Sequence, residues 1–265
     1  MRGIARAASE TAIWGLFVIL AYLILAFATH RWLPLPNVGN VGFTLVFVMF
    51  SLLHAGLMLG GRRLALFFGL SVVISYALEE TGVRTGLVYG RYHYGDLLGA
   101  KLGHVPVLIP LAWFMMIYPA WVVALALLRG LDLRRPAGIA ALALTAALVM
   151  TGWDMVMDPS MAAAGNWVWE DGGPYFGVPL RNYAGWVLTT FLVYLAYHAA
   201  AGDRGDVYRF DGVFAALPAV VYTLFSLEYL VPGRFPALAA VAVFAMVMPG
   251  MLALVRLAQP ARIAS

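Results

Sequence analysis

The sequence predicts an all-α integral membrane protein: a multi-pass bundle of about eight transmembrane helices with polar and aromatic caps at one membrane face. Three observations predict it. The 265 residues are 63% hydrophobic and 11% charged, with a mean hydropathy of +0.86, far more apolar than a soluble domain of this length. Apolar runs of about 20 residues, long enough to cross a hydrocarbon core, recur along the chain. Residues 153–186 break that pattern, holding four of the 13 acids and four of the eight Trp together with five Gly and three Pro. Turn residues at that density exclude a plain spanning helix, so polar and aromatic groups gather here between apolar runs.

The elements follow in order. Arg2 and Arg6 precede a first run at 11–29. A secretory signal would share that pattern, with Ala26-Phe27-Ala28 as its cleavage site, but the run is longer than a signal core and a retained helix is expected. A loop at 30–40, with Pro34 and Pro36, leads to a second span at 41–59; Arg62 and Arg63 separate it from a third at 64–80. A polar insert occupies 81–104. Further spans are expected at 105–128, 137–158, 183–201, 211–230 and 236–257. Pro159 is expected to end the fifth, because the residue before a proline avoids helical geometry. No internal repeat or low-complexity linker divides the chain, so residues 1–265 are expected to form a single transmembrane domain.

Eight helices place both termini on one side. That side carries 11 Lys and Arg and the other 6, so the termini are expected to be cytoplasmic in the cell membrane. The net charge of +4 contains no run of like charges, and no nucleic-acid partner is expected. The absence of Cys excludes disulfides, thiolate metal sites and Cys nucleophiles. The five His form no HExxH motif, and there is no glycine-rich phosphate loop or dinucleotide fingerprint. Asp154-x-x-x-Asp158 resembles half of an Asp-rich magnesium–diphosphate site, for which Glu79-Glu80 is a poor second half. Neither a metal nor a cofactor is expected.

The topology gathers acids at the face opposite the termini. The third, fifth and seventh helices run the same way, and toward their C-terminal ends stand Glu79, Glu80, Asp154, Asp158 and Glu228. Asp154 and Asp158, four residues apart, share a helix face. Apolar surroundings, neighbouring acids and the negative end of the helix dipole all favour the neutral carboxyl, so at least one is expected to keep its proton near neutral pH and serve as a general acid. A single carboxylate at a helix end can simply sit in headgroup water. Convergence from three helices needs a further reason, because burying an acid in a bilayer costs roughly 2.5–3.5 kcal/mol on insertion scales.

The insert alternates Tyr89, Tyr92 and Tyr94 with Gly and with Arg84 and Arg91. An interfacial aromatic belt would look like this; so would a folded cap whose Arg side chains tune the acids and whose rings line a pocket. The fourth span clusters Trp113, Met115, Met116 and Tyr118 among Pro106, Pro110 and Pro119, which suits packing at kinks or a long apolar ligand.

Several blocks together carry a resemblance. They are Glu79-Glu80-Thr81-Gly82-Val83-Arg84-Thr85-Gly86, Tyr89-Gly90-Arg91-Tyr92-His93-Tyr94, Val105-Pro106 with Trp113-Phe114-Met115-Met116-Ile117-Tyr118-Pro119, Asp154 to Asp158-Pro159 with Gly165-Asn166-Trp167-Val168-Trp169, and Tyr175-Phe176-Gly177-Val178-Pro179-Leu180-Arg181-Asn182-Tyr183-Ala184-Gly185-Trp186. In order and spacing the chain resembles the CruF-type carotenoid hydratases over nearly its whole length, most specifically in the last block. The resemblance implies a multi-pass enzyme of carotenoid biosynthesis, a hydro-lyase adding water across the terminal 1,2 double bond of an acyclic carotenoid end group to give a tertiary alcohol. Its implied partners are an acyclic-ended carotenoid such as lycopene or γ-carotene, water, the lipid bilayer and other enzymes of the carotenoid pathway. It assigns no catalytic residue.

Residue chemistry supplies the candidates. Hydration of such an alkene needs an acid to protonate C2, aromatic faces to stabilise the C1 cation, and a carboxylate to position water. Asp158 or Asp154 is the candidate acid, and Glu79 or Glu80 the group that positions water. Tyr89, Tyr94, Trp113, Trp167, Trp169, Tyr175 and Trp186 are candidate substrate-binding rings, with Arg84, Arg181 and Asn182 supporting the carboxyls. Glu228, outside the quoted blocks, is expected to matter least. Two other readings share these residues: a metal-dependent membrane isoprenoid transferase, and a transporter or lipid-binding protein that uses the acids as a proton relay.

Overall fold

A computed structural model describes residues 2–29, 34, 38–202, 212–230 and 235–259. Among them, eight helices are long and apolar enough to cross a membrane, so the chain is an all-α multi-pass membrane protein. The spans are α1 (Arg2–Ala28), α2 (Gly39–Leu59), α3 (Gly61–Thr85), α4 (Leu108–Leu127), α5 (Pro136–Ala163) and α6 (Leu180–Ala201), then two composite spans. The seventh joins α7 (Gly212–Phe225) to the short α8 (Leu227–Leu230); the eighth joins α9 (Leu238–Ala242) through a π-helical turn at Val243–Val247 to α10 (Met248–Ala258). Four short strands lie between the spans: β1 (Tyr92–Tyr94), β2 (Lys101–Leu102), β3 (Val105–Pro106) and β4 (Trp167–Trp169).

The helix α4 is the axis of the bundle. It is apolar on every side, its residues are buried without interruption from Trp113 to Ala126, and it touches α2, α3, α5, α7 and α10. The helices α5 and α6 pack along each other and carry Asp154, Asp158 and Asn182 between them. The loop expected at 30–40 and the basic stretch around Arg204 and Arg209 fall largely outside the described residues.

Prolines explain much of the internal hydrogen bonding. A proline inside a helix has no N–H for the carbonyl four residues earlier, and an unpaired carbonyl in apolar surroundings is costly. Three such carbonyls here, those freed by Pro119, Pro218 and Pro159, have acquired a side-chain donor. Pro119 frees Met115 O, which accepts Ser51 Oγ at 2.9 Å, and Pro218 frees Phe214 O, which accepts His54 Nε2 at 2.9 Å. Pro249 frees Ala245 O, which lies 3.3 Å from the Tyr222 hydroxyl, a group whose shorter bond, 2.8 Å, goes to Val149 O. Since a carbonyl only accepts, His54 carries its proton on Nε2, and its Nδ1 accepts from Tyr118 at 2.7 Å.

The same device corrects the expected stop at Pro159. The helix α5 continues through that proline to Ala163 because the freed Met155 carbonyl accepts the Tyr175 hydroxyl at 3.0 Å. Asp154 therefore lies nine residues, about 14 Å, inside the end of α5 rather than at a terminus. Similarly, α3 runs on to Thr85, α4 starts at Leu108 and α6 starts at Leu180, each a few residues from the expected boundary.

Candidate active site

Two three-residue strands from distant parts of the chain build one wall of the site. Strands β1 and β4 pair antiparallel, Tyr92 opposite Trp169 and Tyr94 opposite Trp167. Side chains alternate across a strand, so His93 and Val168 point outward and are exposed, while the two tyrosines and two tryptophans face inward. The sheet thereby presents two O–H and two N–H donors on one face. Outside, Arg91 grips Asp171 with both guanidinium arms, Nε to Oδ2 at 2.8 Å, and holds the Asp171 carboxyl below its usual range.

Three carboxyls receive these donors. Glu79, buried on α3, accepts the hydroxyls of Tyr92 and Tyr94 (the latter at 2.7 Å) on Oε2, and Trp113 Nε1 at 3.0 Å on Oε1. Burial, and then the adjacent Glu79 charge, push both phenols well above their ordinary range, so they keep their protons and donate. On Oδ1, Asp158 accepts Trp167 Nε1 at 2.6 Å and Trp169 Nε1 at 3.1 Å. The Asn182 amide nitrogen donates to Oδ2 of Asp158 and to Oδ2 of Asp154, both at 2.8 Å. The remaining oxygen of Asp154, Oδ1, is buried and has no hydrogen-bond partner among the described residues.

All three carboxyls line one cleft that encloses about 1120 Å³, counting its open mouth. Trp113 and Trp186 stack across its floor with centroids 4.0 Å apart and planes inclined by 20°. Trp153 meets Trp186 edge-on at 5.9 Å and tilts against Phe225 at 6.1 Å, so an unbroken row of rings continues along the wall. Phe43 extends the row from Phe225 at 5.3 Å, and Phe27 from Phe43 at 5.7 Å. Conjugated and saturated apolar groups both suit such a surface.

The sequence candidates separate accordingly. Glu79, Asp154, Asp158, Asn182, Tyr89, Tyr94, Trp113, Trp167, Trp169 and Trp186 all border the cleft. The ring of Tyr89 is held between α3 and α6 because Gly185 has no Cβ; one placed there would lie 2.5 Å from it. Its hydroxyl pairs with Thr189 Oγ1 at 2.7 Å. Glu80 points elsewhere: it accepts His104 N at 2.9 Å and Nδ1 at 2.8 Å, lies 3.6 Å from Arg84, and ties the β2–β3 turn to α3. Arg181 is exposed at the start of α6. Tyr175 serves the Met155 carbonyl from outside the cleft, in a hairpin turn where Phe176 and Gly177 both have positive φ, the geometry of a two-residue type I′ turn.

Sequence reasoning missed part of the lining. Tyr92 was legible as the partner of Tyr94 in an alternating pattern. Asn40, Met157 and Met161 gave no signal beyond their place in or near apolar runs. Glu228 borders the cleft as a fourth carboxyl, as the convergence of acids from the third, fifth and seventh spans led one to expect, whereas Glu80 does not. Among the described residues no group of three or more His, Asp or Glu is arranged to hold a metal ion.

The chain is 36% identical over 185 residues to the bisanhydrobacterioruberin hydratase of Haloarcula japonica, a match covering 68% of this chain and 61% of that protein. It thus spans about three fifths of the length of that relative. No solved structure matches. The model of the carotenoid biosynthesis protein family matches residues 39–258, which takes in every span from α2 onward and all four carboxyls of the cleft, and the chain belongs to that family.

Proposed function

We propose that this protein is a carotenoid hydratase, adding water across the terminal 1,2 double bond of an acyclic carotenoid end group to give a tertiary 1-hydroxy carotenoid. The observation that carries the reading is the uneven satisfaction of the three central carboxyls. Glu79 and Asp158 each accept three hydrogen bonds, as anions do, whereas Asp154 Oδ1 is buried in the cleft with none. In this reading Asp154 Oδ1 carries the transferable proton and its O–H is aimed into the space where an end group would lie.

The steps follow from that placement. Asp154 gives its proton to C2, the π electrons form the new C–H bond, and a tertiary cation remains at C1. The fixed charges on Asp158 and Glu79 and the faces of the Trp113–Trp186 pair stabilise it, an indole face contributing roughly 2 kcal/mol when desolvated. Water captures C1 and the resulting oxonium loses a proton to a carboxylate. The name of the Haloarcula japonica relative and the apolar, ring-lined cleft support the same reading.

Incubation of the purified protein with lycopene in heavy-oxygen, deuterated water tests it. The product is expected to gain one water, with the oxygen label in the hydroxyl and one deuterium at C2. Oxygen drawn from molecular oxygen would make the protein a hydroxylase, and a pigment of unchanged mass would leave a binding or transport role.

A further inference from the structure

We propose that Glu228 is a further catalytic residue of this site, the base that takes the proton from the water captured at C1; the inference rests on the hydratase reading. Four carboxyls border the cleft, and three of them already have assigned partners: Glu79 and Asp158 are held by three donors each, and Asp154 shares Asn182 with Asp158. Among the described residues no hydrogen bond or ion pair engages the carboxyl of Glu228, although it stands in the cleft lining. It is therefore the carboxylate with open acceptor capacity toward the space that substrate and water share.

The backbone explains how it comes to be there. Helix α7 stops at Phe225, Ser226 forms a turn whose hydroxyl donates to Thr223 O at 2.6 Å, and α8 follows with Tyr229 N bonded to Ser226 O at 3.0 Å. That turn brings Glu228 and Tyr229 to the cleft beside Phe225, whose ring Tyr229 meets at 5.9 Å. From Glu79 the ring row runs through Trp113, Trp186, Trp153 and Phe225 to Tyr229. Glu79 and Tyr229 thus stand at opposite ends of that row, and Glu228, the residue before Tyr229, lines the same cleft as Asp154. Acid and base are separate groups in this assignment, and both border the one cleft that cation and water would share.

The step balances. The water oxygen donates a lone pair to C1 and forms the C–O bond; the oxonium O–H bond breaks, its electrons stay on oxygen, and the proton passes to the Glu228 carboxylate. Asp154 ends the cycle as a carboxylate and Glu228 as an acid, and proton exchange with solvent restores both.

Deuterated water separates this role from every other. Without the base, the cation still forms by deuteron transfer to C2 and then reverts by losing a C2 proton, so label enters unreacted lycopene. Glu228→Gln is expected to lower tertiary alcohol formation at least tenfold while deuterium continues to enter recovered lycopene, and Glu228→Asp is expected to restore part of the alcohol. Asp154→Asn is expected to stop exchange and hydration together. Hydration by Glu228→Gln within twofold of the unsubstituted chain overturns the proposal. So does joint loss of exchange and hydration in that variant, since a residue needed only for packing or for protonation gives that result. A native chain that neither hydrates nor exchanges overturns the hydratase reading itself.

Discussion

Asp154 and Asp158, one helical turn apart on α5, are joined through the single amide of Asn182, which donates a 2.8 Å hydrogen bond to Oδ2 of each. The bridge makes them unequal. Asp158 has two indole donors on its other oxygen, and Asp154 has none. Asp154→Asn is expected to lose on the order of 10²–10⁴ in turnover, the usual range for a general acid, while the protein stays folded and binds pigment. Asp158→Asn keeps an acceptor for the indoles but sets amide against amide at Asn182, so its loss is expected to be smaller and accompanied by a lower unfolding temperature. Turnover and thermal unfolding of both variants in detergent decide it; near-native rates in both would make the pair structural.

Asn182 is expected to matter for stability and chemistry together. Asn182→Leu keeps the branched heavy-atom shape and removes both N–H donors at once, leaving two buried carboxyl oxygens without their shared partner. An unsatisfied buried group costs about 1–3 kcal/mol, and more when charged. The variant is expected to unfold at a lower temperature and to hydrate lycopene at least tenfold more slowly. Unchanged unfolding would show that water replaces the amide without loss.

Much of this was legible in the sequence, for physical reasons. Spans are set by length and apolarity, and so all eight were found, most to within a few residues, except that α1 starts nine residues before the expected boundary, the last two are broken into shorter helices and α5 outlasts Pro159. The Asp154–Asp158 face follows from helical periodicity alone. Three things were not legible. Glu79 and Glu80 are neighbours in sequence, yet successive helix positions diverge by about 100°, so one enters the cleft and the other leaves it. The pairing of Tyr92–Tyr94 with Trp167–Trp169 joins segments far apart in the chain, each too short for its alternation to announce a strand. The turn at Ser226, just ahead of Glu228, has no proline or glycine to announce it; a local bond from the Ser226 hydroxyl to Thr223 O marks it instead.

The stacked tryptophans give a third prediction. If the Trp113–Trp186 pair faces the cation, Trp186→Leu removes one indole and leaves an apolar side chain in its place. Losing about 2 kcal/mol of transition-state stabilisation corresponds to roughly a 30-fold fall in turnover. Binding of ground-state pigment is expected to change far less, because the polyene is uncharged. Separate measurement of kcat and KM checks the split; a rise in KM alone would make Trp186 a packing surface.

Turnover is expected to be independent of added metal. The oxygens of Glu79 and Asp158 are directed at N–H and O–H donors, and a cation placed there would have to displace several of them. Excess chelator should leave the rate within about twofold of control. Loss of activity restored by magnesium would instead favour an isoprenoid transferase acting on a diphosphate.

The last prediction concerns Tyr175, whose sequence suggested a pocket ring and whose hydroxyl instead donates to the Met155 carbonyl at 3.0 Å. That carbonyl is orphaned by Pro159, one position beyond Asp158, so the hydroxyl stabilises the helical turn that carries both candidate acids. Tyr175→Phe removes only the donor and keeps the ring against Tyr183, 5.2 Å away. The side chain is half-buried, so water can replace part of the bond, and a stability loss near the lower end of about 1–3 kcal/mol is expected. Hydration well below the unfolding temperature should stay within about threefold of native, because the ring is not part of the cleft lining. Unchanged unfolding with abolished turnover would return Tyr175 to the chemistry and show that α5 tolerates Pro159 without it.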